Sequence, residues 1–177
     1  MLMRRWSFPI IVGLIFGIVA WQVTLIAMPE ILMSLAIRRV AARGGINVFS
    51  HAPMATDAAR AIVRPSPDLS YSSCPFDLSA GPVLIDATPV PAPYWSLSIF
   101  DAQTNAVFVR NDSDRRHRRI RLAIARAGQK VPAGIEVVRV KGDKGIALIR
   151  ILVDTPASFA VIDNARQSAI CRAIDAP

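Results

Sequence analysis

The stretch Ile135-Glu-Val-Val-Arg-Val-Lys-Gly-Asp-Lys-Gly-Ile-Ala-Leu-Ile-Arg-Ile-Leu-Val-Asp154 decides the fold class. Two runs rich in β-branched residues, 135–141 and 146–154, flank Gly142-Asp-Lys-Gly145. Such runs, too short for helices and divided by glycine, read as strands, and the Gly-Asp-Lys-Gly insert reads as a hairpin turn. The second run is apolar on both faces, with Ile146, Leu148 and Leu152 on one and Ala147, Ile149, Ile151 and Val153 on the other. That is the pattern of a buried strand, and it makes Arg150 conspicuous.

Working outward, the same texture recurs at 83–88, 94–101, 106–110 and 120–127, divided by Pro, Gly and Asp. Six short strands at this spacing predict a mainly β (α+β) domain, an antiparallel sandwich of jelly-roll type. Downstream, Thr155-Pro156 offers an N-cap and a first-turn proline for a closing helix to about Ile174. Upstream, 46–67 has weak periodicity and reads as a connector holding a helix around 57–63.

The chain has 177 residues, and its hydrophobic share of 53% and mean hydropathy of +0.38 exceed what an ordinary soluble domain needs. The excess sits at the front, where Trp6 to Pro29 carry no charge. A helix rising about 1.5 Å per residue over this run crosses the roughly 30 Å hydrocarbon core. A cleaved leader is the competing reading. Leader cores are shorter and end in small residues, whereas this run ends Leu25-Ile-Ala-Met-Pro29, so the retained anchor is preferred. Residues 1–29 are therefore read as a transmembrane anchor, with Trp6 and Trp21 near the two interfaces.

Arg4 and Arg5 abut the span, while Arg38, Arg39 and Arg43 lie farther beyond it. The positive-inside rule then places the N-terminus in the cytoplasm and the domain outside, on the periplasmic side of a bacterial inner membrane. Residues 30–45 form an amphipathic stalk helix stopped by Gly44-Gly45, with Ile31, Leu35 and Arg38 on one face. That face either lies on the membrane surface or packs on the domain. Residues 46–177 are the β-rich domain. Gly13 and Gly17, one turn apart in the span, offer a close approach for a homodimer.

Asp68, Tyr71, Asp77-Leu78, Gly81-Pro82, Tyr94, Asp101, Asn105 and the later Arg150 stand at spacings that resemble the DUF1254 family, bacterial proteins of unassigned function. The resemblance covers about 57–154, with Ser66 and Leu69-Ser70 departing from the usual residues. It implies a β-rich domain that works with a separately made DUF1214-type protein.

Signatures of the common hydrolases, zincins and phosphate-binding loops are absent from the sequence. His51 and His117 stand in unrelated contexts, so no metal and no cofactor are expected. The candidate polar cluster is Asp68, Tyr71, Asp77, Asp101 and Arg150. An arginine among apolar neighbours needs a carboxylate, so Arg150 is expected to pair with Asp101 or Asp77.

Arg115, Arg116, Arg118 and Arg119 form a basic patch in a chain of net charge +8. It lacks the interleaved aromatics of a nucleic-acid site and reads as a surface for anionic lipid, or as a solvated loop. Cys74 and Cys171, the only two cysteines, are either a disulfide of an exported domain or two buried thiols. The functional expectation is a binding or assembly subunit. The alternative is an enzyme whose site, drawing on Asp68, Tyr71, Asp101 or Arg150, is completed by the partner.

Overall fold

A computed structural model describes residues 2–56, 65–112 and 119–175. The connector helix expected at 57–63 lies outside the described residues. Helix α1, Leu2–Gly44, carries the charge-free run and the stalk as one piece and passes through Pro29. A proline inside a helix deletes one backbone bond but leaves the ladder on either side intact. Gly45 ends the helix at φ +91, with its N–H on the Ala41 carbonyl at 2.8 Å. From Phe8 to Met28 the large apolar side chains stand exposed. After Pro29 a stripe turns inward: Met33 and Ile37 are buried where α1 lies against strands β1 (Ser50–His51), β2 (Leu69–Asp77) and β8 (Lys144–Leu152).

The remaining strands are β3 (Val83–Ala87), β4 (Trp95–Phe100), β5 (Ala106–Asn111), β6 (Ile120–Arg126), β7 (Glu136–Val140) and β9 (Ile170–Ala173), with helix α2 (Pro156–Arg166) between β8 and β9. They form two sheets, ordered β1-β2-β8-β4-β5 and β7-β6-β3-β9. Phe76, Leu97, Ile99, Ile149 and Ile151 of the first sheet meet Val83, Ile85, Leu122 and Ile124 of the second in one core. Cys74 and Cys171 are joined in a disulfide with Cα atoms 6.4 Å apart, which ties β2 to β9 and so staples one sheet to the other.

Four expectations need correction. The hairpin over 142–145 does not form, because β7 and β8 belong to different sheets. β8, apolar on both faces, takes the centre of the five-stranded sheet between β2 and β4, while β7 runs parallel to β6 at an edge. The sandwich is therefore mixed, with one parallel pair. The closing helix stops at Arg166, and 170–173 form β9 instead.

The fourth is β2, which the sequence reading passed over although it pairs with β8 along its whole length. Its serines and Pro75 disguised it. The Pro75 carbonyl accepts from Asn47 N on the side away from β8. The proline nitrogen faces that same side, so its missing N–H costs the ladder nothing.

Candidate functional site

Register brings Tyr71, Arg150 and Ser96 into one row across β2, β8 and β4. The row lies on the face of the sheet opposite the core, since Ile149 and Ile151 on either side of Arg150 point inward. Arg150 Nη2 donates to Ser98 Oγ at 3.3 Å, while its Nε is buried without a partner, as is Ser96 Oγ beside it. Among the described residues no carboxylate pairs with Arg150. The expected bond to Asp101 or Asp77 is thus corrected, because both acids are committed to turns of their own.

Asp101, 1% exposed at the end of β4, accepts from the backbone N–H groups of Gln103 and Asn105, both at 2.9 Å, and from Asn105 Nδ2. These bonds shape the β4–β5 turn, where Thr104 takes φ +66. Asp77 ends β2 and accepts from Ser79 N at 2.9 Å, with Lys144 Nζ at 3.4 Å. Burial pushes its carboxyl up, but the Ser79 hydrogen bonds and Lys144 outweigh it and hold the group below the usual range. Asp68 is exposed just before the other end of β2, roughly 30 Å from Asp77 along an extended strand. Tyr71 Oη accepts from Ser66 N at 3.0 Å. The cluster expected from sequence is therefore a Tyr71–Arg150 row with its acids dispersed.

A second polar assembly went unseen in the sequence. Arg166, 3% exposed on the last turn of α2, reaches back over the start of the domain. It donates to the Tyr71 carbonyl at 2.7 Å, the Ala52 carbonyl at 2.6 Å, Ser72 Oγ at 3.3 Å and the Asp163 carboxylate at 2.8 Å from Nε. Its guanidinium also stacks over the Phe159 ring. Ser72 Oγ in turn meets His51 Nδ1 at 2.9 Å. Burial, then the Arg166 charge, lower the His51 pKa from the ordinary 6.5 against the opposing pull of Asp163. A serine beside a histidine suggests a nucleophile, but Ser72 is wholly buried, so no substrate carbonyl can reach it.

Of the basic patch, Arg119 is described and holds Asp86 in a two-pronged ion pair, with Nη2 to Oδ2 at 2.7 Å, while Arg121 Nε stands 3.9 Å from the same carboxylate. Arg115, Arg116 and Arg118 lie outside the described residues. Gly13 and Gly17 sit on one open side of α1 beside Ile10, Leu14, Ile18 and Trp21. Among the described residues no group of His, Cys, Asp and Glu gathers as a metal site.

Residues 46–173 match the family described as protein of unknown function (DUF1254). The chain belongs to the DUF1254 family. A solved structure, the VPA0106 protein from Vibrio parahaemolyticus, shares the fold at a TM-score of 0.61 and 18% identity, over 86% of this chain and 40% of that one. An uncharacterized protein from Burkholderia cenocepacia superposes at a TM-score of 0.45 and 15% identity, over 63% of this chain and 33% of that one. This DUF1254 chain thus spans less than half the length of either. No curated protein matches it.

Within this DUF1254 domain the Arg166 assembly had one legible signal, an arginine three residues after Asp163 on a capped helix. The partners it finds are backbone carbonyls on β2 and before it, about a hundred residues away, which no spacing encodes.

Proposed function

We propose that this protein is a bacterial envelope subunit, anchored in the inner membrane by α1, whose periplasmic β domain binds a DUF1214-type protein. The observation that carries this reading is the dispersal of the acids. Asp77 and Asp101 are spent on turns and Asp68 stands apart, so the acids of the expected cluster do not share a site. Arg150 remains, with a half-buried guanidinium whose Nε is unpartnered. A carboxylate from a partner would pair with the part of this guanidinium that burial leaves accessible, a charge-assisted bond that no described acid of this chain supplies.

The anchor is supported by the exposed apolar surface of α1. The outside location is supported by the Cys74–Cys171 bond, because such bonds persist in oxidising compartments. The partner is what the likeness to the DUF1254 family implies.

Crosslinking in intact cells, followed by identification of the bound protein, tests the reading. A DUF1214-type protein should be recovered with the wild-type chain and lost with Arg150→Met while the anchor and disulfide persist. Recovery of no such protein, or equal recovery with the variant, overturns it. The second reading, an enzyme completed at that interface, draws on Tyr71 and Arg150, which are half-buried side by side on the outer face of the sheet. Turnover that appears only when both proteins are mixed would select it.

A further inference from the structure

Beyond Pro29 the helix α1 is apolar on two sides, and the domain covers only one. Met33 and Ile37 are buried on the side turned to the sheet, with Val40 half-buried one turn on. At 100° per residue Met28, Ile31 and Leu35 fall on the opposite side, with Leu32 next to them, and all four are 46–54% exposed. Glu30 lies on the flank, outside this stripe. This stripe of large apolar side chains is left uncovered by the domain, and an exposed apolar patch of that kind marks a surface with an occupant.

We propose that the occupant is lipid: α1 enters the bilayer tilted, and its outer face stays immersed as far as Leu35 while the domain rests on its inner face at the membrane surface. This rests on the anchor reading above. Three features select lipid over a protein. The stripe continues the charge-free span without a break. Measured from Phe8 to Leu35, the lipid-facing side runs about 28 residues or roughly 42 Å, well beyond a hydrocarbon core of about 30 Å, which an untilted helix could not keep covered. Arg38 and Arg43, both exposed, follow Leu35 within about two turns, where long cationic side chains reach headgroup phosphates. The helix runs from the span to the packed stripe as one element, with Pro29 inside it, and so holds the β domain against the bilayer.

Because both native cysteines are paired, single cysteines added to the full chain can carry an environment-sensitive fluorophore. The variants Ile31→Cys, Leu35→Cys, Leu14→Cys and Val161→Cys are reconstituted in vesicles of phosphatidylethanolamine and phosphatidylglycerol. Expected is loss of emission at positions 14, 31 and 35 with quencher-bearing phospholipid, and loss at 161 only with aqueous iodide. If 14 is quenched by lipid but 31 and 35 answer to iodide, the anchor stands and this inference is overturned. If 31 and 35 are shielded from both quenchers, a second copy or another protein covers the stripe, which also overturns it. Failure at 14 removes the anchor itself. Arg38→Glu with Arg43→Glu should move the probe at 35 toward water, and an unchanged signal removes the headgroup contact.

Discussion

Arg166, on the last turn of α2, donates a 2.7 Å hydrogen bond to the carbonyl of Tyr71 on β2, 95 residues earlier. The same nitrogen, Nη1, also reaches Ser72 Oγ, and with the Ala52 carbonyl and Asp163 on Nη2 and Asp163 on Nε the buried guanidinium has every donor nitrogen engaged. Arg166→Ala removes this donor from the Ala52 carbonyl and breaks the pair with Asp163, while the Tyr71 carbonyl keeps Ala52 N and Asp163 keeps Gln167 Nε2, so a loss of about 1.5–3 kcal/mol in unfolding free energy is expected. Arg166→Lys should recover only part, since a point charge cannot span the fork. Chemical denaturation measures both, and a change below about 1 kcal/mol for the alanine variant would sink the assignment of Arg166 as the pin of α2.

The Cys74–Cys171 bond closes a loop of 97 residues between the two sheets. In the chain-entropy account a loop of that size stabilises by up to roughly 4.7 kcal/mol. Reduction, or Cys74→Ala with Cys171→Ala, should lower the denaturation midpoint without changing the fold. Thiol labelling of unreduced, denatured protein taken from cells should find no reactive cysteine. Two reactive thiols would remove both the bond and its support for an oxidising compartment.

Gly145 stands opposite Phe76 in the β2–β8 pair. A Cβ built there collides with the Phe100 carbonyl oxygen and the Phe76 ring. Backbone cannot yield as a side-chain tip can, so Gly145→Ala is expected to cost at least the 1–3 kcal/mol or so typical of overpacking. Gly128→Ala, where a Cβ has open space but φ is +81, should cost less. Equal midpoints for the two variants would contradict the close approach.

His51 has its pKa lowered in the folded protein by burial and by the Arg166 charge. A histidine depressed on folding binds its proton more readily when unfolded, so its contribution is present above the unfolded value near 6.5 and is lost as pH falls from there through the lower folded pKa. Asp77 and Asp163 are also depressed, but their loss begins only nearer the ordinary carboxyl value of 3.8. Midpoints compared between about pH 7 and pH 5 should therefore fall in the wild type and hold steady in His51→Gln. A parallel fall in both would assign the pH dependence to other groups.

What the amino-acid order determined by itself is local or compositional. The charge-free run before Pro29 dictates an apolar helix suited to lipid rather than water, because no charged side chain interrupts its surface. Alternating β-branched runs divided by glycine and proline dictate strands, and the six read from sequence all stand, within a residue or two at each end. Thr155 and Pro156 start α2 as read, with Thr155 Oγ1 accepting from Ser158 N at 3.2 Å. Partner choice was settled only by the tertiary structure. The 146–154 run is apolar on both faces, which says that it is central but not which strands flank it, and β2 won that place over the neighbouring β7. Residues 170–173 gave up helix for sheet because β3 offered an unpaired edge and Cys74 a sulfur to meet. Arg150 went without an aspartate, and Arg166 found its acceptors on distant backbone, because burial and hydrogen bonding are met by whatever the packed chain brings near. A carboxylate's nearest donors are its own turn's N–H groups, and Asp101 took those first.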